Sequence, residues 1–439
     1  MTKKTAIIIL IVAAVLAGFF VLYMILFTSS QSVVGPVGNI GRPSINVFPL
    51  GNQGEQENNN GQQVAAPELS NLDPKSFKLR RITNNSIAGF YLYDEVITIQ
   101  EEDKEKEQEK IEEIKTNFRF IEKSTGNVFE ASSKDLFTNR ITNTTIPKIQ
   151  EATFFNNGNG VVLRYLSQDN SIETFVANII KKVIPEDDQK NSESEEGTES
   201  DDDIVKDDDL AELKGIFLTK DIDSITKSPT SNSFFYTKSG KGYIFDATSP
   251  QNQRIVLDQS ITELVSEWNN RNILLTTKAS GLAQGISFSL APTGGQLNRL
   301  ISEVSGLTTK ANSNGTVILY SQIAGNSLFN FLYNTETRES SLITLSTLPE
   351  KCVWSKKNTN IIYCAQPKSL YGTLPDEWYQ GIVSFEDSMY KIDTAANTVV
   401  RIADFPVVLD IIEPKLSESE NYIVFMNKSD LTLWSLNLE

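Results

Sequence analysis

The stretch KCVWSKKNTNIIYCAQP, residues 351–367, shows one unit of a pattern that recurs along the chain. A short strand that ends at Trp354 is followed by a polar turn, residues 356–360, and then by an apolar run, residues 361–365. This order is typical of a tight antiparallel hairpin. The second strand is apolar on consecutive residues rather than on alternate ones, so both of its faces are expected to be buried between neighbouring sheets. The unit therefore predicts an inner strand of a layered β structure.

Similar hairpins recur along the chain at a nearly constant spacing. Aligned on Ser228, Trp268, Ala311 and Trp354, they lie 40, 43 and 43 residues apart, which is the period of a four-stranded propeller blade. We count seven units, whose inner strands are expected to start near Ser86, Ile149, Ile222, Ile261, Gly306, Lys351 and Ile411. The prediction is an all-β, seven-bladed β-propeller, and counts of six and eight blades are still open at this stage.

The two ends of the propeller region complement each other. The strand-like stretch FKLRRI, residues 77–82, has no blade of its own, and the last unit ends after TLWSLNL, residues 432–438, with one strand missing. Pairing the spare strand with the incomplete blade closes the ring and removes two open sheet edges. An N-terminal strand is therefore predicted to close the propeller.

A long apolar run lies near the N-terminus. Thr5 to Phe27 is 23 residues without a charge, enough to cross a bilayer core of about 30 Å. Lys3 and Lys4 precede it and no Lys or Arg follows before Arg42, which predicts a cytoplasmic N-terminus. The alternative is a cleaved signal peptide, which has a shorter apolar region and a small-residue cleavage site. Residues 1–28 are therefore predicted to be the cytoplasmic stub and single-pass anchor of a cell-membrane protein.

The remainder is predicted to lie outside the cytoplasm in two parts. Residues 29–70 are rich in Gly, Pro, Asn, Gln and Ser and are expected to form a flexible tether. Residues 71–439 are expected to form the propeller domain. It contains an acidic insertion that is predicted to be disordered, residues 185–214. It also contains a charged stretch, residues 101–115, with the i, i+4 pairing of a short solvated helix that extends a hairpin.

The formal charge of −16 comes from two insertions. Residues 101–115 contribute −4 and residues 185–212 contribute −12, so the rest of the chain is near neutral. An acidic protein is a poor candidate for nucleic acid binding by phosphate neutralisation. The longer insertion lacks the glycine and the terminal Glu of an EF-hand loop. A solvating loop is therefore favoured over weak calcium binding, and no metal site is predicted.

The chain contains no histidine, which excludes Ser-His-Asp and Cys-His catalysis and histidine metal sites. Neither a catalytic residue nor a cofactor is predicted. The expected function is that of a non-catalytic binding or scaffold module at the cell envelope, whose partners are the membrane, through the N-terminal helix, and envelope proteins or glycans. The alternative is a carbohydrate-active propeller enzyme that uses Asp or Glu side chains at the mouth of the channel.

The two cysteines of the chain lie in the hairpin quoted above. If the five-residue turn sets the register, Cys352 directly faces Cys364. Directly opposed residues can lie close enough for a disulfide at a non-hydrogen-bonded pair of an antiparallel ladder, and an outer compartment permits oxidation. A disulfide is predicted, and the alternative is two buried free thiols.

One further insertion, SLYGTLPDEWYQGIVSF (residues 369–385), is unusually rich in aromatic residues. It leaves the sixth blade between its second and third strands, and so emerges on the face where the outer strand of each blade connects to the next inner strand. Asp376, Glu377, Trp378 and Tyr379 form a candidate binding surface that suits a cationic or carbohydrate partner. The alternative is a structural plug that packs on the propeller.

Several motifs resemble a known group of proteins. They are RFIEKSTGNVFE (residues 119–130), NTTIP (residues 143–147), KCVWS with IIYCAQP, and LPDEWYQG. As a set they resemble the recurring signatures of uncharacterised, membrane-anchored β-propeller proteins of small-genome candidate-phylum bacteria. The repeats also resemble the TolB-like and WD40-like superfamily, although its SPDG-type turn is degenerate at residues 416–419. The resemblance covers residues 77–439 and implies a fold and a location, without an activity.

Overall fold

The computed structural model describes residues 78–100, 110–181 and 210–439, together with the backbone of a two-residue strand, β1 (Val47–Phe48). Within the described residues, no helix combines the length and the apolar character that crossing a membrane requires. The predicted anchor, most of the predicted tether and most of the acidic insertion lie outside these ranges.

The described strands form seven antiparallel sheets, and each sheet is one blade of a propeller. Within a blade the chain runs from the inner strand to the outer strand. Strand β2 (Leu79–Arg81) precedes the first blade. The strands of blades one to four are β3 (Ile87–Gln100), β4 (Lys110–Glu122), β5 (Val128–Ser132), β6 (Asn139–Arg140), β7 (Ile149–Phe155), β8 (Gly160–Leu166), β9 (Ile172–Ile180), β10 (Glu212–Phe217), β11 (Ser224–Lys227), β12 (Ser233–Lys238), β13 (Lys241–Asp246), β14 (Gln253–Asp258), β15 (Leu264–Trp268), β16 (Ile273–Thr277), β17 (Gln284–Leu290) and β18 (Asn298–Ser305).

The last three blades complete the predicted count of seven. Every inner strand starts within three residues of its predicted position. The strands of blades five to seven are β19 (Thr309–Ala311), β20 (Val317–Ala324), β21 (Ser327–Asn334), β22 (Ser340–Ile343), β23 (Cys352–Trp354), β24 (Ile361–Pro367), β25 (Asp387–Asp393), β26 (Thr398–Asp404), β27 (Ile411–Leu416), β28 (Tyr422–Asn427) and β29 (Leu433–Asn437).

The N-terminal strand closes the ring, as the sequence predicts. β2 pairs antiparallel with β29, and Leu79 lies opposite Leu436. The guanidinium group of buried Arg80 donates to the carbonyl oxygens of Ser132 at 2.7 Å and Asp135 at 2.6 Å. Ser132 ends β5 of the first blade, and Asp135 follows it. The closing strand therefore joins the last blade to the first.

The core lies between adjacent blades. Residues of β24 are almost all buried, as the consecutive apolar run predicts. Tyr363 of β24 and Met389 of β25 belong to the same buried cluster as Ile411 and Phe425 of the seventh blade. Because both faces of β24 are buried, side chains at consecutive positions are removed from water. This explains why apolar and polar residues do not alternate along the strand.

The helical interpretation of residues 101–115 is wrong for its described part. Residues 110–115 begin strand β4, and Lys110 pairs with Gln100 at the far end of a long hairpin. Strand β3 places the β-branched residues Val96, Ile97 and Thr98 opposite this segment, and the ladder pairs the backbone N–H and C=O groups. The pair Glu102–Lys106, on which a helix was expected, lies outside the described residues.

The acidic insertion ends earlier than predicted. Leu210 and Ala211 are buried, and β10 begins at Glu212 and pairs with β9. Apolar residues at the end of the segment return the chain to the core, since Leu213 packs in the cluster of the second blade. The boundary of 214 is therefore corrected to a position before Leu210.

Candidate functional site

The insertion of residues 369–385, which we call the cap, connects β24 to β25. It contains a four-residue helix, α1 (Asp376–Tyr379). Because β24 and β25 meet where outer strands connect to the next inner strands, the cap lies on that face of the propeller, which we call the top face. The candidate residues are therefore on the face that the sequence predicts.

The cap packs against several blades. Its buried residues form one apolar cluster with Leu328 of the fifth blade, Leu348 before the sixth and, at its margin, Ile412 of the seventh. The backbone N–H of Gly281, in a loop of the fourth blade, donates to Asp376 Oδ2 at 2.8 Å. The buried cap residues of the cluster are Leu374, Trp378, Val383 and Phe385. The cap therefore spans the top of blades four to seven.

Trp378 lies on the inner side of the cap. Only 3% of the residue is exposed, and its Nε1 donates to both carboxylate oxygens of Asp410 at 3.1 Å each. The Ser384 hydroxyl and the Phe385 backbone N–H donate to the same carboxylate, each at 3.0 Å. Trp378 is thus bonded into the propeller instead of facing solvent.

The other three candidate residues are held in different ways. Asp376 accepts the hydrogen bond from Gly281, and Glu377 Oε2 accepts one from the Thr373 backbone N–H at 3.1 Å. Tyr379 is 46% exposed and its hydroxyl donates to Glu350. Asp376 therefore joins the cap to the fourth blade, and Glu377 stabilises the cap itself. Tyr379 is the candidate side chain that presents a ring to solvent.

Glu350 lies beneath the cap, beside the inner strands. Burial raises the pKa of its carboxyl group, and the hydrogen bond from Tyr379 acts in the opposite direction. Burial, together with the charge of Glu350, raises the pKa of the Tyr379 hydroxyl. Among the described residues Glu350 Oε2 has no hydrogen-bond partner. The structure therefore places a carboxyl group with raised pKa next to an exposed tyrosine.

Charged side chains also lie on the inner strands of blades four, five and seven. Lys310 of β19 lies 3.0 Å from Glu267 of β15, and the charge of Glu267 is the main cause of the raised pKa of Lys310, with Glu413 and Glu350 contributing. Burial lowers the pKa of Lys415, whose Nζ donates to the Phe90 carbonyl at 2.9 Å. Within the described residues no group of three or more His, Cys, Asp or Glu side chains is arranged to hold a metal ion.

A buried ionic cluster lies directly under the cap. Lys351 Nζ is 2.6 Å from Asp387 Oδ2 and 2.5 Å from Asp410 Oδ1, and all three side chains are fully buried. Burial raises the pKa of Asp387, opposed mainly by the charge of Lys351. Sequence reasoning missed this cluster. Its one signal is that each residue lies at or just before the first residue of a strand, on the top face.

The outer side of the cap and the fourth-blade loop beside it expose apolar groups. Ile382 is 66% exposed, Tyr371 is 52% exposed, and Leu282, next to the Gly281 contact, is 84% exposed. The Tyr371 hydroxyl donates to the Ser384 carbonyl, and its ring packs edge-on against Phe385. The exposed rings are therefore fixed in place by the cap.

Cys352 and Cys364 lie opposite each other on β23 and β24. Their sulfur atoms are joined by a disulfide, and both residues are buried. The bond therefore fastens the hairpin from which the cap emerges.

On the opposite face, a cavity of about 240 Å³ lies between blades four and five. Three arginines line it, Arg271, Arg299 and Arg338, and Arg271 lies 3.8 Å from Glu336. Guanidinium groups bind carboxylates and phosphates well. The cavity therefore has the chemistry to hold an anionic group, at a distance from the cap.

Comparison with known proteins adds no family. No protein-family model and no curated protein matches this chain. Among solved structures, a TolB from Agrobacterium tumefaciens is 14% identical, with a TM-score of 0.35 over 50% of this chain and 74% of that one. An oligogalacturonate lyase from Vibrio parahaemolyticus is 6% identical, with a TM-score of 0.44 over 81% and 99%. The Pan2 WD40 domain from Neurospora crassa is 9% identical, with a TM-score of 0.45 over 74% and 86%.

These likenesses include TolB-like and WD40 propellers. At such identities and TM-scores they carry no argument about function. The assignment as a seven-bladed β-propeller rests on the order and pairing of the strands.

Proposed function

We propose that this protein is a membrane-anchored, extracytoplasmic propeller that binds an envelope partner through the outer side of its cap, without catalysis. The observation that carries the proposal is the division of the cap into two sides. Trp378 and Phe385 are buried against the propeller, whereas Tyr371, Tyr379 and Ile382 are exposed.

An exposed apolar patch on a folded domain is a common mark of an interaction site. Aromatic residues that bind well are usually fixed before binding, because ordering a side chain costs conformational entropy. Tyr371 is held by the Ser384 carbonyl and Tyr379 by Glu350. The outer side of the cap therefore offers preorganised rings.

The composition of this surface favours a protein over a glycan. Tyrosine rings stack on sugars and on proteins alike, but Ile382 and Leu282 are aliphatic and exposed. Aliphatic groups add affinity only where a partner covers them with apolar surface of its own. We therefore place an envelope protein first and a glycan second.

The extracytoplasmic location is supported by two features of the chain. The apolar run from Thr5 to Phe27 follows two lysines, the arrangement of an anchor with a cytoplasmic N-terminus. Disulfides such as Cys352–Cys364 are typical of oxidising compartments.

Site-specific photocrosslinking tests the proposal. A photoreactive residue replaces Ile382 in the full-length protein in its native membrane, and the control variant carries the same residue at Val400, exposed on the outer strand of the sixth blade. We expect a discrete crosslinked species from position 382 and none from position 400. Equal labelling from both positions, or no species from position 382, contradicts the proposal.

A second candidate function is favoured by Glu350. A carboxyl group with raised pKa resembles the general acid of a glycosidase, and Glu267 and Glu413 also lie near Lys310. The Tyr379 hydroxyl donates a hydrogen bond to the Glu350 carboxyl group, however, and this makes access of a sugar to that group less favourable. Cleavage of envelope glycans that is lost in Glu350→Gln would support the enzyme.

A further inference from the structure

The side chains of Lys351, Asp387 and Asp410 are arranged so that they could react with one another as well as form ion pairs. Lys351 Nζ lies 2.6 Å from Asp387 Oδ2 and 2.5 Å from Asp410 Oδ1, and all three side chains are inaccessible to solvent. The rings of Trp378 and Phe385 have their centroids 5.2 and 5.5 Å from Nζ. An amine and a carboxyl group are thus held in contact in a dry, largely aromatic site.

We propose that Lys351 and Asp387 become joined by an isopeptide bond in the folded protein, with Asp410 transferring the protons. The site is a modification site formed by the chain itself. It is independent of the binding function proposed for the outer side of the cap.

Asp387 is the group that is attacked. Its Oδ1 has no hydrogen-bond partner among the described residues, and its Oδ2 accepts from the Ile411 backbone N–H at 2.7 Å. Burial raises the pKa of this carboxyl group, which favours the neutral acid. A neutral carboxyl group is an electrophile, whereas a carboxylate repels a nucleophile. The Ile411 N–H stabilises the negative charge that Oδ2 acquires when Nζ adds to the carbon.

Asp410 is the proton carrier. Lys351 Nζ, Trp378 Nε1, the Ser384 hydroxyl and the Phe385 N–H all donate to it. Accepting from this many donors is characteristic of an ionised carboxylate. Its Oδ1 is in contact with Nζ and is therefore positioned to remove a proton from the amine.

The reaction balances without a further reactant. The ammonium group of Lys351 gives a proton to Asp410, and the free amine adds to the carboxyl carbon of Asp387. The carbon–oxygen bond to Oδ1 then breaks, and Asp410 gives a proton to the departing oxygen while it takes one from nitrogen. The products are an amide, one molecule of water and a protonated Asp410.

The site favours the product for two reasons. Reacting groups held in contact behave as if they were highly concentrated. The ammonium group of Lys351 and the carboxylate of Asp410 are charged groups without access to water, and burying charges in this way is unfavourable. The amide replaces these buried charges with neutral groups. Once the released water molecule has left the site, hydrolysis lacks its nucleophile.

Mass spectrometry of the purified full-length protein, reduced and denatured, tests the proposal. The expected mass is lower than the sequence mass by one water molecule, with a branched peptide that joins Lys351 to Asp387. Lys351→Arg is expected to restore the sequence mass. Asp410→Asn, which keeps both partners, is expected to leave most of the chain unlinked.

Three outcomes overturn the proposal. The first is a wild-type protein with the full sequence mass. The second is a loss of water that persists in Lys351→Arg, which would indicate a succinimide at Asp387–Ser388. The branched peptide can also contain Asp410 in place of Asp387. The wild-type measurement does not depend on whether any variant folds.

Discussion

The indole nitrogen of Trp378 lies 3.1 Å from each carboxylate oxygen of Asp410. This contact joins the middle of the cap to the residue that directly precedes the first strand of the seventh blade. Since Asp410 also contacts Lys351, the cap, the sixth blade and the seventh blade meet at one carboxylate. The inner side of the cap is therefore part of the core, although its sequence lies between two strands.

The first prediction concerns Trp378. Replacing it with alanine is expected to lower the free energy of unfolding by about 3 to 5 kcal/mol, as for other large buried aromatic residues, because it leaves a cavity and removes a donor from Asp410. Denaturant unfolding measures the change. The control is Ile382→Ala on the exposed side of the cap, which is expected to change stability by no more than about 0.5 kcal/mol. Equal free energies of unfolding for the two variants would contradict the conclusion that Trp378 belongs to the core.

The second prediction concerns the closing strand. Arg80→Ala removes two hydrogen bonds from a buried guanidinium group to the Ser132 and Asp135 carbonyls. We expect a loss of about 3 kcal/mol, since bonds from charged groups are strong and the buried Ser132 carbonyl loses its donor. The control is Arg401→Ala, whose ion pair with Asp404 is exposed and is expected to contribute less than about 1 kcal/mol. If both variants unfold at the same denaturant concentration, Arg80 does not hold the ring closed.

The third prediction concerns the disulfide. The bond closes a loop with a sequence separation of 12, and the double variant Cys352→Ala, Cys364→Ala is expected to lose about 3 kcal/mol. A reducing agent is expected to lower the stability of the wild-type protein and to leave that of the double variant unchanged. A wild-type unfolding curve that does not respond to reduction under denaturing conditions would point to free thiols.

The fourth prediction concerns Glu350 and pH. Its pKa in the folded protein is raised above the ordinary value of 4.5, so the folded state holds the proton more tightly than the unfolded state does. The stabilisation is fully present below pH 4.5 and is lost as pH rises through the folded-state pKa. The free energy of unfolding is measured below pH 4.5 and near neutral pH. Its decrease between the lower and the higher pH is expected to be smaller for Glu350→Gln than for the wild type. Glu336→Gln, at an exposed position, is the matched control and is expected to follow the wild type.

The propeller fold is predictable from the sequence because its signals are periodic. The hairpin around Trp354 recurs at the blade spacing, and the spare strand at Leu79 matches the blade that lacks one. The helical interpretation of residues 110–115 failed because charge spacing is a weak local signal. Pairing with the neighbouring strand outweighs it.

The inner and outer sides of the cap are not predictable in the same way. Trp378 and Tyr379 are consecutive in a four-residue helix, and only the contact with Asp410 decides which of them is buried. The cluster of Lys351, Asp387 and Asp410 is hidden for a related reason. Its members are 36 and 59 residues apart from Lys351, and only the alignment of strand ends on the top face brings them together.

The central claim, that the outer side of the cap is a binding surface, is tested most directly by partner capture. Ile382→Asp, Val400→Asp and the wild-type protein are compared, at matched melting temperatures, for the amount of the position-382 crosslinking partner that they recover from native membranes. The claim predicts that Ile382→Asp recovers at least about tenfold less of this partner than the wild type does, as expected for a charge placed in an apolar interface. Val400→Asp is expected to recover as much as the wild type. Recovery by Ile382→Asp that equals the wild type would contradict it.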